Sequence, residues 1–492
     1  MQKKSKVIEK FLLCEEMDRL LEITDFRQPE KTTYPVGLIL LCALVGVTMG
    51  ANSWNDIAYA AGLRSSTLLK YYPNVKQTPS HDTLRRFFSL ANTDELEKIY
   101  RAWAKALLMG HFEQSGLNES KKSAEGENEN NSSSKKGIHV AIDGKTNRGA
   151  MSQKGTTANT KMHILNAFAT EFGICLGQRR MEEKTGEISN LPVLIKELFI
   201  GKGDVVTIDA IGTQREIAKA IVEKKADYIL TVKGNQKSLK KTIEDNLKEE
   251  QCKKNNRRHD EAEEWDNSHG RSVHRYCFIS TEPLCLGSQK DKWEGVQSYG
   301  LIRTTRTVKS TKQETVDTQY FISSLKGNAA TIMKYKRDHW KVENNLHWML
   351  DVQYKEDDDR KKENSAQNFA LINKMVLAIL KLEETKQTQG RKRIVFSHFP
   401  VTNETLGEDE AGAAHFAQVM LPVLNRGNVD LLVAGHRHPE EPTLISKGSK
   451  GNEFPVLIQG HNFGARIDIV DEKISITTAG AAVQTRVKSL KR

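Results

Sequence analysis

The sequence predicts an α/β protein in three parts. A mixed sheet covered by helices is expected in the middle, an all-helical stretch before it and a partial α/β piece after it. Residues 137–235 alternate apolar β-type runs with amphipathic helical runs, the pattern of a parallel or mixed sheet with helices on its faces. Residues 1–115 have helical periodicity without β alternation. Two polar stretches divide the chain. Residues 116–136, "GLNESKKSAEGENENNSSSKK", bury too little apolar surface to fold and read as a disordered linker. Residues 385–393, "TKQTQGRKR", form a basic junction before the last part, 391–492.

In the leading part, residues 36–51 form the one long apolar run, "VGLILLCALVGVTMGA". It is shorter than the roughly 20 residues a membrane span needs, so a buried core helix is expected. Pro35 suits its start, and Ser53-Trp54-Asn55-Asp56 reads as the capping box of the next helix. Ser80 caps a third helix, which carries Arg85 and Arg86 beside Phe87 and Phe88. Exposed arginines on such a helix suit DNA contact, though an ordinary helical bundle with a charged face has the same pattern.

The central part, 137–384, opens with "GIHVAIDG", a strand ending in Asp143, followed by two strands with a turn near Glu171-Phe172-Gly173. A helix, "ISNLPVLIKELFIG", precedes "DVVTIDA", a strand ending in Asp209. Another helix and the strand "ADYILTVKG" follow. From about 237 to 330 the rhythm breaks: a strongly basic stretch with Lys240, Lys241, Arg257 and Arg258 leads into three antiparallel-type strands, a β-rich insertion. A long helix over roughly 330–355 then carries Glu343, and a second helix closes the part near 384.

Charge points to a polyanionic partner. The formal net charge is +11, most of it before residue 391. The six cysteines form no CxxC or His-Cys zinc pattern, so reduced thiols in a cytoplasmic protein are expected. The N-terminus "MQKKSKVIEKF" lacks the apolar core of a signal peptide.

Asp143, Asp209 and Glu343 sit where two-metal phosphoryl chemistry needs acids. Two end apolar strands, and the third lies on a helix able to pack across them. Two Mg²⁺ (or Mn²⁺) ions would suit such hard oxygen ligands. Each acid alone has a plainer explanation: a turn, a cap, a solvated helix face. Lys145 and Arg148 in "IDGKTNRG" add phosphate-binding charge beside the first. His339, Glu343, His347 and Asp351 recur every four residues, a polar stripe flanked by Trp340 and Trp348. Zinc is disfavoured, because HExxH is absent and the two histidines lie two turns apart. Asp351, Asp357 and Asp358 rival Glu343 as third ligand.

Over roughly residues 15–384 these motifs resemble the DDE-type insertion-sequence transposases of the H-repeat-associated family. The resemblance is carried by "PSHDTLRRFFSL", "AIDGKTNRGA", "TIDAIGTQREIAKAIVEKKADYILTVKGNQ", "YFISSL" and "HWKVENNLHWMLDVQYKEDDDR". It implies an RNase H-like catalytic core with a β-insertion before the third acid. It also implies cleavage and strand transfer at the ends of the chain's own element, with Asp143, Asp209 and Glu343 as the triad. The partner would be double-stranded DNA, both terminal inverted repeats and target, bound by a homo-oligomer in a bacterial cytoplasm, at the nucleoid when acting. Gly186 stands where the family usually shows Asn, and Lys336, His339 and Leu350 stand where the broader group has Tyr, Arg and Lys.

Residues 394–480 resemble the C-terminal part of a calcineurin-like metallophosphoesterase, through His398 in "IVFSHFP" and His436 and His438 in "VAGHRHPEE". The D-x-H, GDxxD and GNH segments of that family's first half are missing, so a truncated fragment with vestigial metal ligands is expected. Two other functions compete with transposition: a phosphoesterase acting through this segment, and a DNA-binding fusion protein with a dead core.

Overall fold

The computed structural model describes residues 25, 27, 32–114, 137–151, 161–181, 186–247, 258–267 and 270–387, and seven short stretches beyond them: 394–397, 429–434, 443–445, 456–458, 464–470, 473–479 and 486–490. The chain forms two compact units, Met1–Lys381 and Leu382–Arg492. The 116–136 linker lies outside the described residues.

The first unit begins with α1 (Val36–Thr48), the apolar run, buried along nearly its whole length. No described helix is long and apolar enough to cross a membrane. In α2 (Trp54–Leu63) the Ser53 side chain accepts from the Asp56 N–H, as the capping box requires. In α3 (His81–Leu90) Ser80 accepts from Thr83 in the same way. α4 (Thr93–Gln114) lies against the sheet, where the Tyr100 hydroxyl donates to the Cys175 carbonyl at 2.6 Å.

The sheet has nine strands in the order β3-β2-β1-β4-β5-β9-β8-β7-β6. They are β1 (His139–Met151), β2 (Lys161–Ala169), β3 (Ile174–Met181), β4 (Val205–Ile208), β5 (Asp227–Val232), β6 (His259–Asp266), β7 (Arg271–Ser280), β8 (Ser298–Val308) and β9 (Glu314–Ser323). The centre, β1-β4-β5, is parallel, with antiparallel strands on both sides. Helices α5 (Glu187–Glu197) and α6 (Arg215–Glu223) connect the central strands, and α7 (Lys237–Asn246) follows β5. The expected β-rich insertion joins the core sheet, because β9 pairs with β5 from Ile229↔Ser323 to Val232↔Tyr320. Its buried face, Cys277, Ile279, Ile302 and Phe321, shares one core with Val205 and Ile229.

β1 does not stop at Asp143. It runs on to Met151, paired with β2, while its pairing with β4 ends at Ile142↔Ile208. The helix that carries Glu343 also departs from the expected regular one. α8 (Ala329–His339) passes into a π-helical turn, Val342–His347, and then a short helical turn, Trp348–Val352. α9 (Glu363–Gln387) closes the first unit, and its Asn368 amide donates to the carbonyls of Phe88 and Ala91, tying the leading helices to the core. Trp54 stacks on Phe88 with ring centroids 4.9 Å apart and meets Phe369 edge-on at 5.3 Å.

The described residues of the second unit form two sheets. In the first, β10 (Ile394–Ser397), β11 (Leu431–Ala434) and β13 (Val456–Ile458) are parallel, and β12 (Thr443–Ile445) runs antiparallel beside β13. In the second, β14 (Gly464–Val470), β15 (Lys473–Ala479) and β16 (Arg486–Leu490) form an antiparallel meander.

Candidate active site

The parallel pairing of β1 and β4 places Asp143 and Asp209 together. Their last paired residues are Ile142 and Ile208, so the two aspartates follow side by side at one end of adjacent strands. Alternation along a strand puts His139 and Asp143 of β1, and Thr207 and Asp209 of the neighbour, on one face. Lys145 continues that face, and Asn166 of β2 lies directly opposite Asp143.

α8 and the π turn cover this face. His339 sets Nε2 3.6 Å from Asp209 Oδ1, and its Nδ1 is 2.8 Å from the Thr207 hydroxyl. His347 sets Nδ1 3.6 Å from Asp143 Oδ2, and its Nε2 is 3.3 Å from the Asn166 amide nitrogen. Glu343 lies four residues from each histidine, exposed within the π turn. In an α-helix a four-residue step overshoots the turn by about 40°, so a stripe of that period drifts around the helix. A π turn holds more residues and cancels that drift. Here the Trp348 N–H bonds to the Glu343 carbonyl, five residues back. His339 and His347 therefore both stay on the side of the two aspartates.

Burial, with Asp209 adding to it against the pull of His339, raises the Asp143 carboxyl to about 6. The His339 imidazole beside Asp209 holds that carboxyl below its usual value. Burial lowers His347 and His139 to about 3 each. Lys336, bonded to the Thr231 hydroxyl of β5, is pushed down to about 8 by burial, with Asp209 opposing the shift. Glu187 approaches from the other side of the sheet. A Cβ on Gly144 would stand 2.3 Å from its Oε1, so a side chain there would displace the Glu187 carboxylate.

Lys145 corrects the expectation that it meets phosphate. Its side chain is only 5% exposed, and its ammonium lies 2.7 Å from Asp351, 3.2 Å from Glu356 and 4.0 Å from Asp357. Three carboxylates already balance the charge, so Lys145 braces the segment after the π turn against β1. The same contacts engage Asp351 and Asp357, two of the rivals of Glu343. Arg148 is 77% exposed, with its Nε 3.4 Å from Asp357. Among the described residues no three His, Cys, Asp or Glu side chains stand close enough together to hold an ion as they are.

The other basic residues divide. Arg85 and Arg86 are exposed; Arg85 pairs with Asp82 at 3.1 Å and lines a cleft of about 630 Å³ in which Lys355, Arg360, Lys361 and Lys362 stand beside Asp358 and Asp359. Lys240 is partly engaged, 3.3 Å from Glu244 and over the Tyr320 ring, whereas Lys241 and Arg258 are exposed. Arg257, His398, His436 and His438 lie outside the described residues.

Sequence reasoning missed Glu187, Thr207, His139 and Asn166. Thr207 and His139 share the parity of the aspartates, a signal present in the sequence. Nothing in it marks Asn166 or Glu187.

The family model described as "Transposase DDE domain" matches residues 134–380, and the one described as "DDE_Tnp_1-associated" matches 17–104. The chain is similar to the putative transposase YncI of Escherichia coli O157:H7, 32% identical over 77% of this chain and 90% of that protein. It is also similar to the H repeat-associated putative transposase YhhI of Escherichia coli (strain K12), 29% identical over 77% and 93%. A solved chain from a piggyBac transposase synaptic complex with hairpin DNA aligns over 77% of this chain and 75% of its own, with a TM-score of 0.33 and 11% identity, a weak likeness that decides nothing about the fold.

Proposed function

The chain belongs to the DDE transposase family, and from that premise we propose that Asp143, Asp209 and Glu343 hold two divalent ions, Mg²⁺ or Mn²⁺, with which it cuts and joins DNA ends. The observation that carries this is the side-by-side placement of Asp143 and Asp209 under the histidines of the helix that bears Glu343. The residues suit metal. A carboxyl raised to about 6 by burial and a neighbouring acid is relieved by a cation, and the donors are hard oxygens. Bound ions would activate a water or a 3′-hydroxyl and stabilise the leaving oxygen. The chain's own part is to hold the carboxylates rigid: β1 and β4 fix two, and the π turn presents the third.

The core is read as RNase H-like, its three central strands parallel and the first hairpinned to β2. Duplex DNA, terminal repeat and target, is the proposed partner of a homo-oligomer acting at the nucleoid. Arg85, Arg86, Arg148, Lys241, Arg257 and Arg258 supply phosphate contacts, with Lys240 in a lesser part. The cleft beside Arg85 suits a sugar–phosphate strand, and the exposed indoles of Trp340 (57%) and Trp348 (54%) suit stacking on bases.

The test is cleavage of terminal-repeat DNA with Mg²⁺. Asp143→Asn, Asp209→Asn and Glu343→Gln are each expected to abolish cutting and leave binding largely intact. Retained cutting by any of them rejects that ligand.

For the tail, a truncated phosphoesterase-like fragment is the reading favoured. In the sequence His398 follows β10 directly and His436 comes two residues after β11, and those two strands are parallel neighbours. The carboxylate-bearing segments that would complete a dinuclear site have no counterpart in the sequence.

A further inference from the structure

We propose that His339 and His347 are positioning residues that clamp the two aspartates through single N–H groups, each set from behind by a buried hydrogen-bond chain. This rests on the assignment of Asp143 and Asp209 to the catalytic site. The direction of each proton follows from its neighbours.

At His339, Nε2 faces the Asp209 carboxylate at 3.6 Å, just beyond hydrogen-bond length. An N–H there is attracted, whereas a bare lone pair is repelled. With the proton on Nε2, Nδ1 must accept, and the Thr207 hydroxyl, 2.8 Å away, is its donor. The Thr207 oxygen then accepts from His139 Nε2–H, also at 2.8 Å. His139 Nδ1 is left to accept from the Thr170 hydroxyl at 2.9 Å. Every donor in this chain has one acceptor, and every proton points towards Asp209. All four side chains behind the aspartate are buried.

At His347 the opposite nitrogen is chosen. The Asn166 amide nitrogen lies 3.3 Å from the Ile164 carbonyl and 3.3 Å from His347 Nε2. Turning the amide over would set its oxygen against that carbonyl, so the nitrogen stays. An amide nitrogen only donates, so His347 Nε2 accepts and the proton sits on Nδ1, which faces Asp143. The two histidines therefore carry different tautomers, each with its N–H towards an aspartate. Between them they hold the π turn, and with it Glu343, over both strand ends.

The test uses the full-length chain labelled with ¹⁵N-histidine. The imidazole signals of His339 are expected to show a protonated Nε2 and a bare Nδ1, and those of His347 the reverse. Two protonated nitrogens, or the opposite tautomers, overturn the proposal, and this measurement needs no substitution that could unfold the chain. Thr207→Val keeps the side chain's shape and removes the donor. It is expected to slow single-turnover cleavage about 10–100-fold, with DNA affinity unchanged. Thr207→Ser is expected to restore the rate. Asn166→Asp, which exchanges a donor for an acceptor, should place a proton on both His347 nitrogens and slow cleavage likewise. Wild-type rates in Thr207→Val and Asn166→Asp overturn the clamp. If the unsubstituted chain and Asp143→Asn cut equally well, the catalytic assignment would fail, and the tautomers would still decide the clamp.

Discussion

His139 never reaches substrate in this arrangement, yet it carries a large pH signature. Burial depresses it from 6.5 to about 3, so the folded chain stays unprotonated there while the unfolded chain takes a proton below pH 6.5. The unfolded state then binds more protons, and stability falls as pH drops from 6.5 to about 3. At about 1.4 kcal/mol per pH unit the total is ~5 kcal/mol at most. His139→Gln, which cannot titrate, is expected to flatten the slope of melting temperature against pH in that window. An unchanged slope would assign the acid sensitivity elsewhere. Glu343 and Asp351 are separable at the same scale. Asp351 lies 2.7 Å from Lys145, so Asp351→Asn should lower stability and leave cleavage within about tenfold, whereas Glu343→Gln should abolish it. The reverse would make Asp351 the third ligand. Asp143 and Asp209 were visible in the sequence as acids closing apolar strands. The engagement of Lys145 was not, because its three acidic partners come from a segment some two hundred positions away that only the folded chain brings against β1.

The π turn is the element on which the site depends. It keeps His339, Glu343 and His347 in line where a regular helix would let them drift. Inserting one alanine after exposed Asn345 should carry His347 about 100° further round the helix and away from Asp143. The helical spectrum is expected to persist while cleavage falls more than about 100-fold, since small displacements of positioned groups are costly. Wild-type cleavage in the insertion variant would show that the phase of the turn is incidental. The four-residue period was legible in the sequence, but the extra residue per turn was not. Periodicity reports which residues share a face, and a π turn changes the face without changing any residue type. The β-rich insertion shows the same limit: its strands were legible, their addition to the core sheet through β5 and β9 was not.

For the whole molecule, charge and the second unit make the separable predictions. Replacing Arg85, Arg86, Lys241 and Arg258 by glutamine should weaken binding to all DNA sequences. The slope of log K against log salt should also flatten, by about 0.9 for each phosphate no longer neutralised. An unchanged slope would make these a solvated face. A chain ending near residue 390 is expected to cleave terminal-repeat DNA as the full chain does, because the family match ends at 380 and the compact unit at 381. The full chain is expected to leave a chromogenic phosphoester intact with Mn²⁺. Hydrolysis that disappears with the tail, or with His436→Ala, would establish a second active site.

By itself the sequence determined the family, the two strand-borne acids, the capped helices and the break between the units. These are local in cause: propensity, apolar period and short motifs act over a few residues. Tertiary structure alone decided the register that sets Ile142 against Ile208, and so the two aspartates together. It also decided the burial of Lys145 and the reach of His339 and His347 onto separate strands. Those depend on which strands pair and which helix covers them, a choice made by packing across the whole sheet.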